Sequence, residues 1–190
     1  IPYVISGGQS FFDRAEVKDT TSYLRLLSNQ DDDPAFIRAV TTPKRGIGGT
    51  TLEALGRAAG RRHQSLFAAI YAPGLDADLN VKQRTSLREF GDFIKRMEAR
   101  AAQEPAGKVL NDIVRAIGYE SWLFESLEPR EAEGRWANVS DLVDWLDKKG
   151  SEENKNLLEL AQSVALLSML DKEEGAADAV QLATLHAAKG

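Results

Sequence analysis

A short stretch with one proline and three glycines, residues 42–51, most constrains the fold of this 190-residue chain. Pro43 has no amide hydrogen and its ring clashes with the preceding turn, so a helix that leads into it has to end there. Three glycines then surround the apolar residue Ile47, and Thr50 followed by Glu53 has the spacing of a reciprocal capping box that starts another helix. The stretch therefore predicts two helices joined by a tight turn, the glycine hairpin.

The glycine hairpin permits two interpretations. Unpaired backbone N–H groups and the positive end of the second helix suit an anion, most simply a phosphate. Alternatively, the stretch is only a turn between helices, in which Ile47 packs into the core and the charged side chains contact water. The residues alone favour neither interpretation. The candidate phosphate contacts are Lys44, Arg45, Gly46, Ile47, Gly48, Gly49, Thr50 and Thr51.

Charge is distributed unevenly along a chain whose net charge is −5. Residues 38–62 contain six basic residues and one acidic residue, and residues 82–100 contain six basic and three acidic residues. Residues 120–190 contain 15 acidic and 7 basic residues, a balance of −8. The overall charge argues against a protein that coats nucleic acid along its whole surface. A basic surface on an acidic body is nevertheless typical of a local phosphate-binding site, although solvated helix faces also carry such charges.

Composition excludes several kinds of chemistry. Cysteine is absent, which excludes disulfides, thiolate metal sites and a cysteine nucleophile, and fits a reducing cytoplasmic location. No apolar run approaches the roughly 20 residues of a membrane-spanning helix, so we expect no membrane partner. The acidic run at residues 31–33 is more typical of a helix start than of a metal site. His63 and His186 are isolated, and no catalytic or metal-ligand spacing is visible, so we predict neither a catalytic residue nor a metal site.

Apolar residues at three- and four-residue spacing predict seven to nine amphipathic helices. The longer ones are expected over about residues 14–28, 51–62, 80–103 and 133–148, with Asp13, Asp33 and Ser65 as N-caps. Residues 150–154 are expected to be a mobile polar segment and residues 173–178 an acidic linker. Short β-prone segments at residues 2–6 and 180–185 predict a strand at each end. The predicted fold class is therefore all-α, with helix–loop–helix elements and short terminal strands.

Three ordered blocks of the chain resemble the UvrD/Rep family of superfamily-one DNA helicases. The first block, residues 1–19, reads IPYVISGGQSFFDRAEVKD; the second, residues 42–48, reads TPKRGIG; the third, residues 180–190, reads VQLATLHAAKG and looks like helicase motif V. Residues 119–123, together with Asn138 after Arg135, look closest to the Rep branch of that family. The resemblance covers essentially the whole chain.

This resemblance implies a division into three parts. Residues 1–28 would be an N-terminal segment of a RecA-like 2A domain, residues 29–178 a helical 2B domain, and residues 179–190 the return into 2A. The strands at both ends would then derive from the RecA-like α/β domain. Because the chain lacks an initiator methionine and stops after Lys-Gly, we expect it to be part of a longer protein.

The resemblance also implies a function. The complete enzyme would use ATP and Mg²⁺ to move along single-stranded DNA, whereas this segment lacks the Gly-Lys-Ser/Thr phosphate loop and is expected to hold no cofactor. The hairpin from Lys44 to Thr51 would contact duplex phosphates, and Thr184 and His186 would lie at the single-strand track. Expected partners are duplex and single-stranded DNA, the remaining helicase domains 1A, 1B and 2A, and replication or repair proteins.

Two functions remain as hypotheses at this point. In the first, the chain is a regulatory 2B domain that contacts duplex phosphates independently of sequence and modulates unwinding. In the second, it is an autoinhibitory or protein-interaction module with little direct DNA binding, which the acidic C-terminal half favours. An unrelated all-α enzyme has little support, because nothing in the sequence supplies a nucleophile with a base.

Overall fold

In the computed structural model, which describes residues 11–177, helices follow one another without a strand between them. The α-helices of this part are α1 (Ala15–Ser28), α2 (Asp33–Thr41), α3 (Gly49–Arg62), α4 (Leu66–Ala69), α5 (Val81–Ala101), α6 (Ala106–Ala116), α7 (Tyr119–Ser126), α8 (Pro129–Glu153) and α9 (Leu157–Ala177). Two short 3-10 helices span Phe11–Asp13 and Leu75–Ala77. The expected helical fold is confirmed for these residues. The strands expected at residues 2–6 and 180–185 lie outside the described residues.

Helix α1 occupies the centre of the helical body. It packs against α2, α5, α8 and α9, and it buries residues on most of its circumference, including Val17, Tyr23, Leu24 and Leu26. A helix that is covered on nearly all sides needs apolar residues beyond a single stripe, and α1 has them. The proposed division between two domains at residue 28 stays a prediction.

Two buried carboxylates of α1 join it to the C-terminal half. The side-chain oxygen of Asn138 accepts a hydrogen bond from Arg14 Nη1 at 2.6 Å, and its amide nitrogen donates to Glu16 Oε1 at 2.6 Å. Asp19 accepts from the Tyr119 hydroxyl at 2.7 Å and from Arg38 Nε at 2.8 Å. Both carboxylates are therefore satisfied, as buried charges have to be.

One of the three predicted N-cap residues is confirmed, and the other two are wrong. Ser65 caps α4 as predicted, accepting a hydrogen bond from the Ala68 amide. The N-cap of α2 is Asp32, one residue before the predicted Asp33. Asp33 instead accepts from the Leu66 amide at 2.9 Å, which attaches the start of α4 to the start of α2. Asp13 is also wrong as an N-cap, because it lies in a 3-10 helix and α1 begins after Arg14 without a side-chain cap.

Two segments predicted to be irregular are helical. Helix α8 continues through residues 150–153, and α9 continues to residue 177, which includes most of the predicted acidic linker. Gly150 is buried, and a Cβ there would lie 3.2 Å from both Ala106 and Leu160. This glycine allows α8 to pack closely on its neighbours, and it does not mark a loop.

Candidate nucleic-acid interface

The glycine hairpin leaves α2 at Thr41 and enters α3 at Gly49. Its first peptide bond, Thr42–Pro43, is cis, and Gly46 has a φ of +76°, a conformation that glycine adopts without steric cost. Gly48 is the N-cap of α3 and makes no side-chain cap. The predicted capping box of Thr50 with Glu53 is therefore wrong, because Thr50 already lies within the helix.

The backbone N–H groups of residues 44–51 lie in the loop before α3 and in its first turn. No N–H group of residues 44–51 donates to a backbone or side-chain acceptor among the residues that the structure describes. Gly46, Gly48, Gly49 and Thr50 are exposed, so these donors lie near water at the positive end of α3. These residues are compatible with the phosphate interpretation, which stays a prediction.

Other hairpin residues belong to the core. The side chain of Ile47 is 6% exposed and that of Thr51 is 3% exposed. The Thr51 hydroxyl accepts a hydrogen bond from Gln83 Nε2 at 3.0 Å, which holds the start of α3 against the first turn of α5. The structural interpretation of the hairpin therefore also holds for these residues. The buried side chains of Ile47 and Thr51 hold the hairpin in place, while its glycines are exposed.

Arg45 is directed into the protein. Its guanidinium donates to the Tyr23 hydroxyl, to the Ala39 carbonyl oxygen at 3.2 Å and to the Pro43 carbonyl oxygen at 3.4 Å. The same group lies 4.9 Å from the centroid of the Phe90 ring, within the range of a cation–π interaction. Arg45 thus links the hairpin to α1, α2 and α5.

Tyr23 completes this anchor from the central helix. Its hydroxyl oxygen is 2.8 Å from the Ala39 carbonyl oxygen and 2.7 Å from the Thr42 carbonyl oxygen, and it accepts from Arg45. Burial raises the pKa of Tyr23 to about 12, although Arg45 acts in the opposite direction. The neutral hydroxyl is therefore the form that the fold selects.

Lys44 differs from its neighbour. Its side chain is exposed, and it has no hydrogen-bond or ion-pair partner among the described side chains. The sequence predicted Lys44 and Arg45 as equivalent contacts, whereas the structure leaves Lys44 exposed and holds Arg45, half-buried, against the protein. Sequence reasoning missed Tyr23 and Gln83 as supports of the hairpin, because nothing in a residue's own surroundings signals a partner 22 or 32 positions away. Thr184 and His186 lie outside the described residues.

A model of the UvrD-like helicase C-terminal domain family matches residues 1–190, which is the whole chain. The chain belongs to this family. The ATP-dependent DNA helicase Rep of Salmonella typhimurium is 44% identical over 197 residues, covering 100% of this chain and 29% of its own length. DNA helicase II of Escherichia coli is 34% identical and is matched over 27% of its length. The ATP-dependent DNA helicase PcrA of Bacillus subtilis is 33% identical, with 99% of this chain and 26% of PcrA covered. The UvrD-like chain thus spans less than a third of these relatives.

The described residues offer one other candidate anion site, a groove beside the end of α3. Within residues 11–177 no cluster of three metal-ligating side chains occurs, and no helix is long and apolar enough to cross a membrane. A groove of about 460 Å³ is lined by Arg61 and Arg62 together with Ala58, residues 72–75, Ala77 and Asp78. Both arginines are already engaged, Arg61 by Asp78 and Arg62 by the Pro73 carbonyl oxygen. This groove is therefore a less suitable anion site than the hairpin.

Proposed function

We propose that this chain provides the helical 2B domain of an ATP-dependent DNA helicase and contacts duplex DNA through the glycine hairpin. Membership of the UvrD-like family and the match to Rep over the whole of this chain support the helicase assignment. In the complete enzyme, other segments would supply the ATP and Mg²⁺ site, and residues 179–190 would return to the RecA-like domain with Thr184 and His186 at the single-strand track.

The unbonded N–H groups of residues 44–51 are the observation that carries this proposal. Donors at a helix start, next to an exposed lysine, bind phosphate oxygens without reading bases. Direct contacts would come from Lys44 and from the backbone of Gly46, Gly48, Gly49 and Thr50. Arg45, Ile47 and Thr51 would contribute by holding the loop in place. Binding would therefore be independent of the DNA sequence. It would modulate unwinding because the domain holds the duplex through its phosphates.

Titration of a labelled mixed-sequence duplex with this chain tests the proposal. Non-specific contacts of this kind have dissociation constants of about 10⁻⁴ to 10⁻⁶ M, and two to four neutralised phosphates give a log–log salt slope of roughly −2 to −4. We expect Lys44→Ala to make the slope less steep by about 0.9 and to weaken binding roughly tenfold at about 50 mM salt.

Arg130→Ala is the matched control, because Arg130 is also exposed and without a partner in the described part but lies at the start of α8. It should bind duplex as the parent does. Equal losses in the two variants would mean that only net charge matters, and would overturn the hairpin as the contact.

Protein docking is the second candidate function, and the charge of α8 favours it. Glu133, Asp141 and Asp144 are exposed on this helix and make no ion pair within residues 11–177. Carboxylates repel a phosphate backbone but suit a basic protein surface. Failure of the parent chain to bind duplex even at low salt, together with binding to the other helicase domains, would support docking instead.

A further inference from the structure

A second set of exposed cations lies along α5. We define the α5 cationic face as Lys82, Arg88, Lys95 and Arg96. All four are exposed, and none has a carboxylate partner in the part of the chain that the structure describes. Lys82 and Arg96 make no hydrogen bond, ion pair or ring contact with the described residues, whereas Arg88 and Lys95 lie over one aromatic ring.

Cations elsewhere in the protein are mostly neutralised. Ion pairs join Arg25 to Asp32, Arg38 to Asp19, Arg61 to Asp78, Arg100 to Glu104 and Asp112, Lys108 to Glu104, Arg135 to Glu131, Lys148 to Glu152, and Lys149 and Lys155 to Glu153. Among the described side chains, the exposed lysines and arginines without a hydrogen-bond or ion-pair partner lie at residues 44–96, apart from Arg115 and Arg130. Unpaired positive charge is therefore concentrated on the α3–α5 half.

Tyr71 fixes part of this face. Its ring packs on α5 at Gly91, where a Cβ would lie 2.5 Å from the Tyr71 hydroxyl oxygen. Lys95 Nζ is 3.5 Å from the ring centroid, and the guanidinium carbon of Arg88 is 5.9 Å from it. The hydroxyl donates to Asp92 Oδ1 at 2.7 Å. The ring holds both cations on the outer surface without cancelling their charge.

The hairpin packs against α5 beside one edge of the α5 cationic face. The hydrogen bond between Gln83 and Thr51 joins the first turns of α5 and α3. Farther along α5, Phe90 lies under Arg45, and Glu89 lines the same shallow groove as Arg45. Lys82 and Arg96 are 14 positions apart, about 21 Å along a helix axis, which corresponds to about six base pairs of duplex.

From this arrangement we infer that the α5 cationic face is a second phosphate-binding surface, which extends the hairpin contact along the backbone of the same duplex. This inference rests on the proposed function, because it assigns one polyanion to both surfaces. Two carboxylates, Glu89 and Asp92, lie on the same face and reduce its charge. The occupant is therefore a multiply charged backbone that can avoid them, rather than a single small anion.

Duplex titrations with this chain at several salt concentrations test the inference. Lys82→Gln/Arg96→Gln should make the log–log salt slope less steep by about 2 and weaken binding about 10- to 100-fold at about 50 mM salt. The control, Arg115→Gln/Arg130→Gln, removes the same charge from exposed positions elsewhere and should leave the slope unchanged. The four substituted side chains are exposed, so both double variants should keep the melting temperature of the parent chain.

A gain of affinity provides an independent measurement. Glu89→Gln removes a carboxylate from the middle of the α5 cationic face and should tighten duplex binding several-fold, because like charges repel the backbone. Glu133→Gln, on the exposed surface of α8, should leave binding unchanged. The inference is overturned if Glu89→Gln and Lys82→Gln/Arg96→Gln behave as their controls while Lys44→Ala still weakens binding.

The proposed function and this inference fail in different ways. If Lys44→Ala has no effect while the α5 variants respond, the hairpin contact is wrong and the α5 surface stands. If the parent chain binds no duplex at low salt, both are overturned.

Discussion

Lys44 and Arg45 are adjacent in the sequence and have different surroundings in the structure. Lys44 is exposed and without a described partner, whereas Arg45 makes hydrogen bonds to three groups near the core. A basic dipeptide beside glycines therefore combines one residue suited to contacting a ligand with one that holds the loop. The distinction depends on Tyr23 and Phe90, which supply the acceptor and the ring that retain Arg45.

Arg45→Met tests the anchoring role. The methionine keeps much of the length but removes every donor, so the Tyr23 hydroxyl and the Ala39 carbonyl lose a partner in a partly buried place. We expect the free energy of unfolding, measured by urea denaturation, to fall by about 1–3 kcal/mol. Lys44→Met is the neighbouring control and should change it by less than about 0.5 kcal/mol. Equal stability of the two variants would contradict the anchor.

At the scale of elements, the periodicity of apolar residues predicts the helices well. Helices α1, α3 and α5 begin and end within two residues of the expected positions, whereas α8 begins four residues before and ends five residues after the expected range of 133–148. The errors occur at Asp13, Asp33 and Thr50, where local capping rules compete with contacts to distant segments. Asp33, for example, accepts a hydrogen bond from the amide of Leu66, which lies 33 positions later. A capping rule that considers only neighbouring residues does not predict this bond.

Glycines within helices are the second source of error at this scale. Residues 150–154 looked irregular because Gly150 begins a polar run, yet a buried glycine in a helix also allows another helix to approach. The sequence distinguishes these two uses of glycine only when the neighbouring helix is known. Gly107 in α6 is a second example, because a Cβ there would lie 2.3 Å from the Cβ of Asp147 in α8.

Gly107→Ala should therefore force α6 and α8 apart. The obstructing atom is a Cβ, which cannot rotate away, so we expect a loss of about 1–3 kcal/mol in the free energy of unfolding. Gly134→Ala, in the same α8, meets no atom within 4 Å and should gain up to about 1 kcal/mol from helix propensity. Chemical denaturation of both variants checks the difference. Equal stability of Gly107→Ala and Gly134→Ala would show that α6 and α8 have room for a methyl group between them.

At the scale of the whole molecule, the central position of α1 was outside the reach of sequence patterns. Glu16 and Asp19 lie in a charged, unremarkable segment, but the structure buries both and connects them to Asn138 and Tyr119. The sequence predicted the exposed backbone at Gly46 and at residues 48–50, and the role of these residues as a phosphate contact stays a prediction. Its buried supports could not be predicted, because they depend on how distant helices meet.

Tyr119→Phe tests the long-range network. The substitution leaves the ring in place and removes the hydroxyl that donates to buried Asp19, whose pairing with Arg38 remains. A hydrogen bond to a charged group contributes about 1.5–3 kcal/mol, so the free energy of unfolding should fall by that amount. Tyr71→Phe removes a hydroxyl from a carboxylate that is exposed to water, and it should have an effect of less than about 1 kcal/mol. The opposite order of the two losses in urea denaturation would refute the network.

The position of α1 also has a consequence for how the chain is made. A ribosome releases this helix before two of the helices that cover it, because α8 and α9 follow more than 100 residues later. At about 5–20 residues per second, the apolar surface of α1 spends several seconds without those partners. During this interval the uncovered apolar surface of α1 is open to aggregation.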